Sequence, residues 1–285
     1  SEKTVIFPAF FSSPETGFGG GAFLVHTRAF EDQQNDAVYL SGLATEKSQY
    51  LLALQGICHQ HNMKWVFSAN LVSFPGKYFG WGINSSSHSE ETYTPNSSAV
   101  KIACLSLLSK GIYAGPVYEL SASHISQMDS GGLLSQSPVP GLSGAQTSGL
   151  GLQFLIDQRD SDIYTREGHY LLLESLHYHT LLGSQMNANT YLLDQRLFIP
   201  TGPQGIIAGQ FYLHLTTGHV PLHLLPELGG SELMRGFFQG RFIDNAYFSG
   251  QIEYRHLFNS VIGMTSFISI GTVAPNLRHL FSAPL

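Results

Sequence analysis

Apolar and polar residues alternate with a period of two along much of this chain. In residues 63–72, Met63, Trp65, Phe67, Ala69 and Leu71 share one face of an extended segment, and Lys64, Ser68 and Asn70 share the other; Val66 and Val72 break the pattern. Leu150, Leu152, Phe154 and Ile156 oppose Gly149, Gly151, Gln153 and Asp157 in the same way. Gly209, Phe211, Leu213 and Leu215 oppose Gln210, Tyr212, His214 and Thr216. Further on, Phe248, Ile252, Tyr254 and Phe258 oppose Ser249, Gln251, Glu253 and Arg255. A period of two is that of β-strands with unlike faces. Turn-forming clusters at 12–17, 31–36, 59–62, 84–98, 127–146, 158–168, 182–185 and 200–205 separate the runs. The pattern predicts about eleven strands before a glycine-rich loop at 218–245 and two after it. Residues 3–9 form the first strand, and 276–281 read as the start of a further one. No helix longer than a turn or two is predicted, and no repeat beyond the hairpin rhythm.

Composition decides where such strands live. Charged residues are 12% of the chain, against about 25% in soluble domains, while 43% are hydrophobic. Mean hydropathy is only +0.03, and no stretch approaches the ~18–20 apolar residues of a spanning helix. Apolar residues spread by alternation predict an all-β fold, a transmembrane antiparallel β-barrel occupying residues 1–285 as one domain. A soluble β-sandwich is the alternative. The net charge of −6 and pI near 6.1 give no basic patch, so nucleic acid is not an expected partner. Cys58 and Cys104 are either one disulfide or two buried free thiols. Ser1-Glu2-Lys3-Thr4 runs straight into a strand, so a mature form without its leader is expected. Closed single-chain bacterial barrels have an even number of strands. The odd count therefore leads to the expectation that closing strands are missing from this chain.

Candidate chemistry centres on the loop. Residues 228–242 read Leu-Gly-Gly-Ser-Glu-Leu-Met-Arg-Gly-Phe-Phe-Gln-Gly-Arg-Phe. A loop this long is costly to order and usually has a role. If it folds into the barrel, Arg235 presents five fixed donors to an inward carboxylate, and Glu253 on the polar face of the next strand is the natural acceptor. Phe237 and Phe242 would then pack on lumen aromatics. The competing picture is a solvated surface loop with an incidental arginine. Asp157, Arg159 and Asp160 sit at a strand end, where carboxylates bond turn amides, and are read as structural. His177 and His179, and His214, His219 and His223 near the loop, suggest a metal. Polar residues facing a wet lumen account for them equally well, no His-Glu-x-x-His occurs, and no metal or cofactor is assigned. Glu174 and Asp194 are weak candidates for acid–base work, and no catalytic residue is assigned.

Gly229-Gly230-Ser231-Glu232-Leu233-Met234-Arg235-Gly236-Phe237, followed by Gly240-Arg241-Phe242, resembles the hallmark loop of BamA-type outer-membrane assembly and translocation barrels, the bacterial surface antigen superfamily. Asp157-Gln158-Arg159-Asp160 with Arg166-Glu167-Gly168 is similar to a strand-end turn of that family. So are Phe11-Ser12-Ser13-Pro14-Glu15-Thr16-Gly17, and Tyr78-Phe79-Gly80-Trp81-Gly82 with Tyr93-Thr94. The resemblance implies a barrel of about 16 strands whose loop before the twelfth folds into the lumen, with the last strands absent here. It implies Glu253 as the loop's acidic partner and puts Ser269 where relatives carry an aspartate. The periplasmic POTRA domains common in the family are not expected, since residues 3–9 are already strand, and no Gly-x-Ser-x-Gly elbow marks a lipase domain.

The role the resemblance implies is insertion or translocation of outer-membrane proteins in the bacterial outer membrane, without enzymatic chemistry. Expected partners are phospholipid and lipopolysaccharide, client polypeptides, and further copies of the chain. The alternatives are a passive or plugged pore, the membrane-anchor barrel of a larger protein, or an outer-membrane enzyme using lumen histidines and acids.

Overall fold

Side chains that alternate between two solvents need a backbone whose polar groups are satisfied sideways, and this chain meets that need with one continuous antiparallel sheet. The computed structural model describes residues 2–13, 16–29, 35–86, 88–161, 164–259 and 261–280. Its strands are β1 (Glu2–Ser13), β2 (Gly17–Ala29), β3 (Asn35–Thr45), β4 (Tyr50–Gln60), β5 (Met63–Ser73), β6 (Gly76–Tyr78), β7 (Glu91–Ser109) and β8 (Ile112–Gln127). They continue with β9 (Ala145–Asp157), β10 (Gly168–Tyr178), β11 (Ala188–Pro200), β12 (Gly205–Gly218), β13 (Glu227–Leu228), β14 (Phe242–Ile243), β15 (Ala246–Leu257) and β16 (Gly263–Ala274). Fourteen of them form one sheet in the order β1-β2-β3-β4-β5-β7-β8-β9-β10-β11-β12-β15-β16, with β6 added on β7. Each long strand pairs with its chain neighbour, the up-and-down order of a barrel wall. Among the described residues β1 pairs only with β2 and β16 only with β15.

The predicted organisation matches: eleven wall strands precede the long loop and two follow it. Two segments differ. Residues 276–281 were expected to begin a strand, but Leu277–Leu280 form a short helix, α1. Asn276 caps it, its side-chain carbonyl accepting from Arg278 N at 3.1 Å, which commits the chain to a turn. The turn cluster at 84–98 extended too far, because β7 already begins at Glu91. The serines and asparagine that suggested a turn there are cross-strand partners, Ser97 bonding Ser123 at 2.8 Å.

The wall's two faces follow the alternation. Leu71, Leu152, Ile252 and Ile268 are 48%, 69%, 58% and 73% exposed on the outside, where lipid would meet them. Lys64, Gln153 and Glu253 point inward and are buried. The interior is not uniformly polar, however. Inward positions of β7–β10, from the rim with the short connections upward, carry Leu105, Tyr113, Val117, Leu155, Leu176 and Tyr178, which belong to a packed apolar cluster. The longest connections, 74–90, 128–144 and 219–245, lie at one rim, whereas those at the other include 61–62, 110–111 and 201–204. Cys58 and Cys104 are free and half-buried rather than buried. Both pair with Trp65 across neighbouring strands, so roughly 10 Å of sheet separates them and a disulfide is out of reach.

Gly168, at the start of β10, has φ +112, and a Cβ there would lie 2.2 Å from the Gln158 carbonyl oxygen. We expect Gly168→Ala to destabilise the barrel by about 1–3 kcal/mol, read as a lower urea midpoint in tryptophan fluorescence. An unchanged midpoint would show that this turn adapts freely.

Candidate functional site

The connection between β12 and β15 turns into the barrel and builds a small hairpin there. After a 3-10 turn at Leu222–Leu224, Glu227 pairs with Ile243 and Leu228 with Phe242. Gly229 opens the hairpin at φ +109, and a Cβ on it would lie 2.1 Å from the Phe238 carbonyl oxygen, so no other residue fits. Gly230 and Gly240 also have positive φ. Gly236 has open space around it and carries no such constraint. At the tip, Phe237 N donates to Met234 O at 2.9 Å, with Met234 itself at φ 51.

That tip delivers Arg235 to the wall. Its guanidinium donates to Glu253 Oε1, and the other carboxylate oxygen accepts from Arg255 Nε at 2.9 Å. Glu253 is only 7% exposed, so removing both cations would strand a buried charge. The second support of Arg235 is aromatic. Phe267 stands directly across from Glu253 on β16, and its ring centroid is 3.8 Å from the guanidinium carbon. Ser269, where the family resemblance implied an aspartate, faces Gln251 instead. The position opposite the glutamate therefore offers a π-face and no second carboxylate. Met234 packs with Leu228, Tyr247 and Val273, and a Cβ on Gly271 would come within 3.0 Å of its sulfur. From Ala246 at the rim to Glu253 is seven residues of β15, so the tip reaches roughly 23 Å along the wall.

Nearer the rim, the segment after β5 holds the base of the loop. Gly82 N donates to Ile243 O at 2.9 Å. Arg241 bonds Ser85 Oγ at 3.0 Å and its carbonyl at 2.9 Å, and lies 4.1 Å from the Phe242 ring and 5.0 Å from that of Phe79. Val220, Leu222, Leu224, Leu225 and Ile243 join the apolar cluster of the wall. Leu134 of the connection after β8 joins them; its N–H donates to Glu91 at 2.9 Å. Burial raises the pKa of Glu227, which accepts from Gln239, and of Asp244, which accepts from Trp81. Burial pushes His223 down to about 4; its Nε2 lies 3.2 Å from Ser121 Oγ and 3.3 Å from Thr147 Oγ1.

Arg235, Glu253 and the loop glycines thus meet as the sequence suggested, and two expectations, on Phe237 and on the histidines, are corrected. Phe237 does not pack on the wall. It is 44% exposed and its ring pairs with that of its loop neighbour Phe242, centroids 6.1 Å apart. Asp157 accepts from the backbone N–H of Arg159, the Arg159 side chain adds two bonds of 2.7 Å, and Lys64 is 3.8 Å away. Asp160 likewise bonds turn amides, accepting from Arg166 N at 2.9 Å. The histidines do not all face the lumen. His177 points outward beside Tyr191, His179 caps the turn at Thr180–Leu182, and His219 is exposed. Glu174 is paired with Lys101 and Asp194 with Arg196. Among the described residues no group of three His, Cys, Asp or Glu could hold a metal ion. Sequence reasoning missed Arg255, Phe267 and Arg241 as parts of the site. The inward register of β15 flagged Arg255, but nothing flagged an aromatic partner. The Phe11–Gly17 resemblance spans Pro14 and Glu15, outside the described residues.

The family model for the Omp85 superfamily domain matches residues 79–277. No curated protein sequence matches the chain. Among solved structures, the crystal structure of BamA from Haemophilus ducreyi lacking POTRA domains 1-3 is similar, with TM-score 0.63 and 11% identity. The alignment covers 99% of this chain and 59% of that one. At this identity the likeness is one of fold, and this chain spans about three fifths of that protein's chain.

Arg235→Ala leaves Glu253 its Arg255 partner, whereas Glu253→Gln leaves two guanidiniums facing a neutral amide. We expect Arg235→Ala to free the loop tip, seen as new proteolysis within 229–241, with the barrel itself nearly unchanged. Glu253→Gln should cost on the order of 3 kcal/mol of barrel stability, seen in urea unfolding; equal behaviour of the two variants would show that Arg255 plays no part. His223 docked stays neutral to about pH 4, while a released loop takes its proton near 6.5. Docking contributed by His223 is therefore full above about 6.5 and weakens as pH falls toward 4. His223→Asn should flatten the rise in loop proteolysis between pH 7 and pH 4.5, and an unaltered profile would remove His223 from the seat.

Proposed function

Because the chain belongs to the Omp85 superfamily, we propose that its barrel resides in the bacterial outer membrane and serves the insertion or translocation of outer-membrane polypeptides. The observation that carries this reading is the loop hairpin held against Glu253 and Phe267, deep within the wall it connects. A role of this kind needs no covalent chemistry and no cofactor. In lipid, an unpaired strand edge has no water to satisfy it, so an arriving β-strand is its best partner. β1, paired on one side only among the described strands, offers such an edge. The docked loop would stiffen β15 and β16, so that strand exchange occurs against a fixed wall. Partners under this reading are membrane lipid and client strands.

A plugged pore is the second reading, favoured by the apolar packing of the loop across the upper interior. The two separate in vesicles. With the full-length protein, client barrels should fold faster than in empty vesicles, and Arg235→Ala should slow them at least severalfold with little change in conductance. Client folding at the empty-vesicle rate, with conductance rising in Arg235→Ala, would replace the assembly role with the pore.

A further inference from the structure

We infer that the outward face of β4, β5, β7, β8 and β9 carries a binding groove for a single outer-leaflet lipid with a sugar headgroup. Leu71, Ser98, Ala122 and Gln146 lie in one cross-strand row, and Ala69, Val100 and Leu120 in the next row down. Leu71, Val100 and Leu120 are 48%, 52% and 39% exposed, so these rows face away from the lumen. The small side chains of Ala69, Ser98 and Ala122 sink the surface between their larger neighbours. The result is an apolar recess of about 630 Å³ lined also by Leu40, Leu52 and Leu54. Directly above it, sharing Leu71, Ser98, Ala122 and Gln146, is a second recess of about 550 Å³ whose lining is far more polar than that of the first.

The two recesses follow the polarity of one lipid molecule. The more polar one lies toward the rim with the long connections, which in barrels of this kind faces the outside. From Asn96 to Val100 is four residues, or roughly 13 Å of strand, half the height of a barrel's ~25 Å apolar band. One acyl chain would fill the lower recess as far as the bilayer midplane, with its headgroup in the upper one. The upper lining also decides the headgroup. It supplies amides from Asn96, Gln146 and Gln185, hydroxyls from Ser98 and Ser143, and the ring of His124, with no lysine or arginine. A phosphate would call for guanidinium or ammonium, whereas neutral donors and acceptors suit sugar hydroxyls. Asn96 and His124 are already 3.3 Å apart across their strands, a preformed polar floor. Outward polar groups at this height would be costly against bare hydrocarbon.

The inference rests on the strands spanning a membrane, and not on the assembly role. Its test uses the protein in nanodiscs of phosphatidylethanolamine and phosphatidylglycerol containing a minor fraction of a monoglucosyl diacylglycerol. Native mass spectrometry of the released barrel reads which lipid stays bound. The expected result is one retained glycolipid, enriched about tenfold over its bulk ratio, a preference near 1.4 kcal/mol. Ala122→Trp fills the recess and should return retention to the bulk ratio. Asn96→Leu should lower the preference by roughly threefold to tenfold, as one lost hydrogen bond would. Leu152→Trp, equally bulky on another outward patch, should change nothing. Folding of each variant is checked by heat-modifiable mobility, and Asn96→Leu decides alone should Ala122→Trp not fold. Retention at the bulk ratio in the unaltered protein, a phospholipid held in preference, or undiminished retention in Asn96→Leu would each overturn the groove. Loss of client folding with glycolipid retention intact would sink the assembly role and leave the groove standing.

Discussion

Everything in this molecule depends on the lateral hydrogen bonding of its strands. In hydrocarbon an unpaired peptide group costs several kcal/mol, so the backbone must be satisfied by its neighbours before any side chain matters. Thirteen wall strands meet that demand by pairing in chain order. Register then follows, because a slip of one residue would send Lys64, Gln153 and Glu253 to the outside and Leu71, Leu152 and Ile252 to the interior. The division between faces is therefore a consequence of pairing, and the inward face takes the buried charges of the wall, Lys64 and Glu253 among them.

Within that interior the loop is held by two unlike forces. A buried ion pair roughly breaks even against its desolvation, so Arg235 and Glu253 add little net stability to the docked state. The larger contribution comes from apolar area, with Leu222, Leu224, Leu225 and Ile243 at the base and Met234 near the tip. What the guanidinium supplies is position. Glu253 between Arg235 and Arg255, with Phe267 beneath, defines one seat for the tip, and an apolar contact alone would tolerate sliding. This division of labour lets the tip detach without unfolding the base.

Much of the fold was legible in advance. The alternation in residues 63–72 reappears in β5 to within one residue, that in 149–157 in β9, which starts four residues earlier at Ala145, and the long loop does follow the eleventh wall strand. Arg235 and Glu253 were legible because a glycine-rich loop with a central arginine stood next to a strand whose polar face carried a glutamate. The segment 276–281 was misread because a short apolar run looks alike in a strand and in a helical turn, and only the Asn276 cap distinguishes them. Phe237 was misjudged since hydrophobicity predicts burial on average and says nothing of which way a tight turn aims one ring.

By itself the sequence determined the strand rhythm, the two faces, the membrane-type composition and the loop's acidic partner, since all of these are encoded by residue type and local spacing. Tertiary structure decided the rest: that Phe267 supports the arginine, that Arg255 shares its carboxylate, that Trp81 and Arg241 anchor the loop base, and that small residues on three strands sink one groove. Apart from Arg255, which lies two residues beyond Glu253 on β15, these depend on which residues of separate strands and connections come to stand opposite one another. That register is set by the whole sheet at once and is written in no single stretch of the chain.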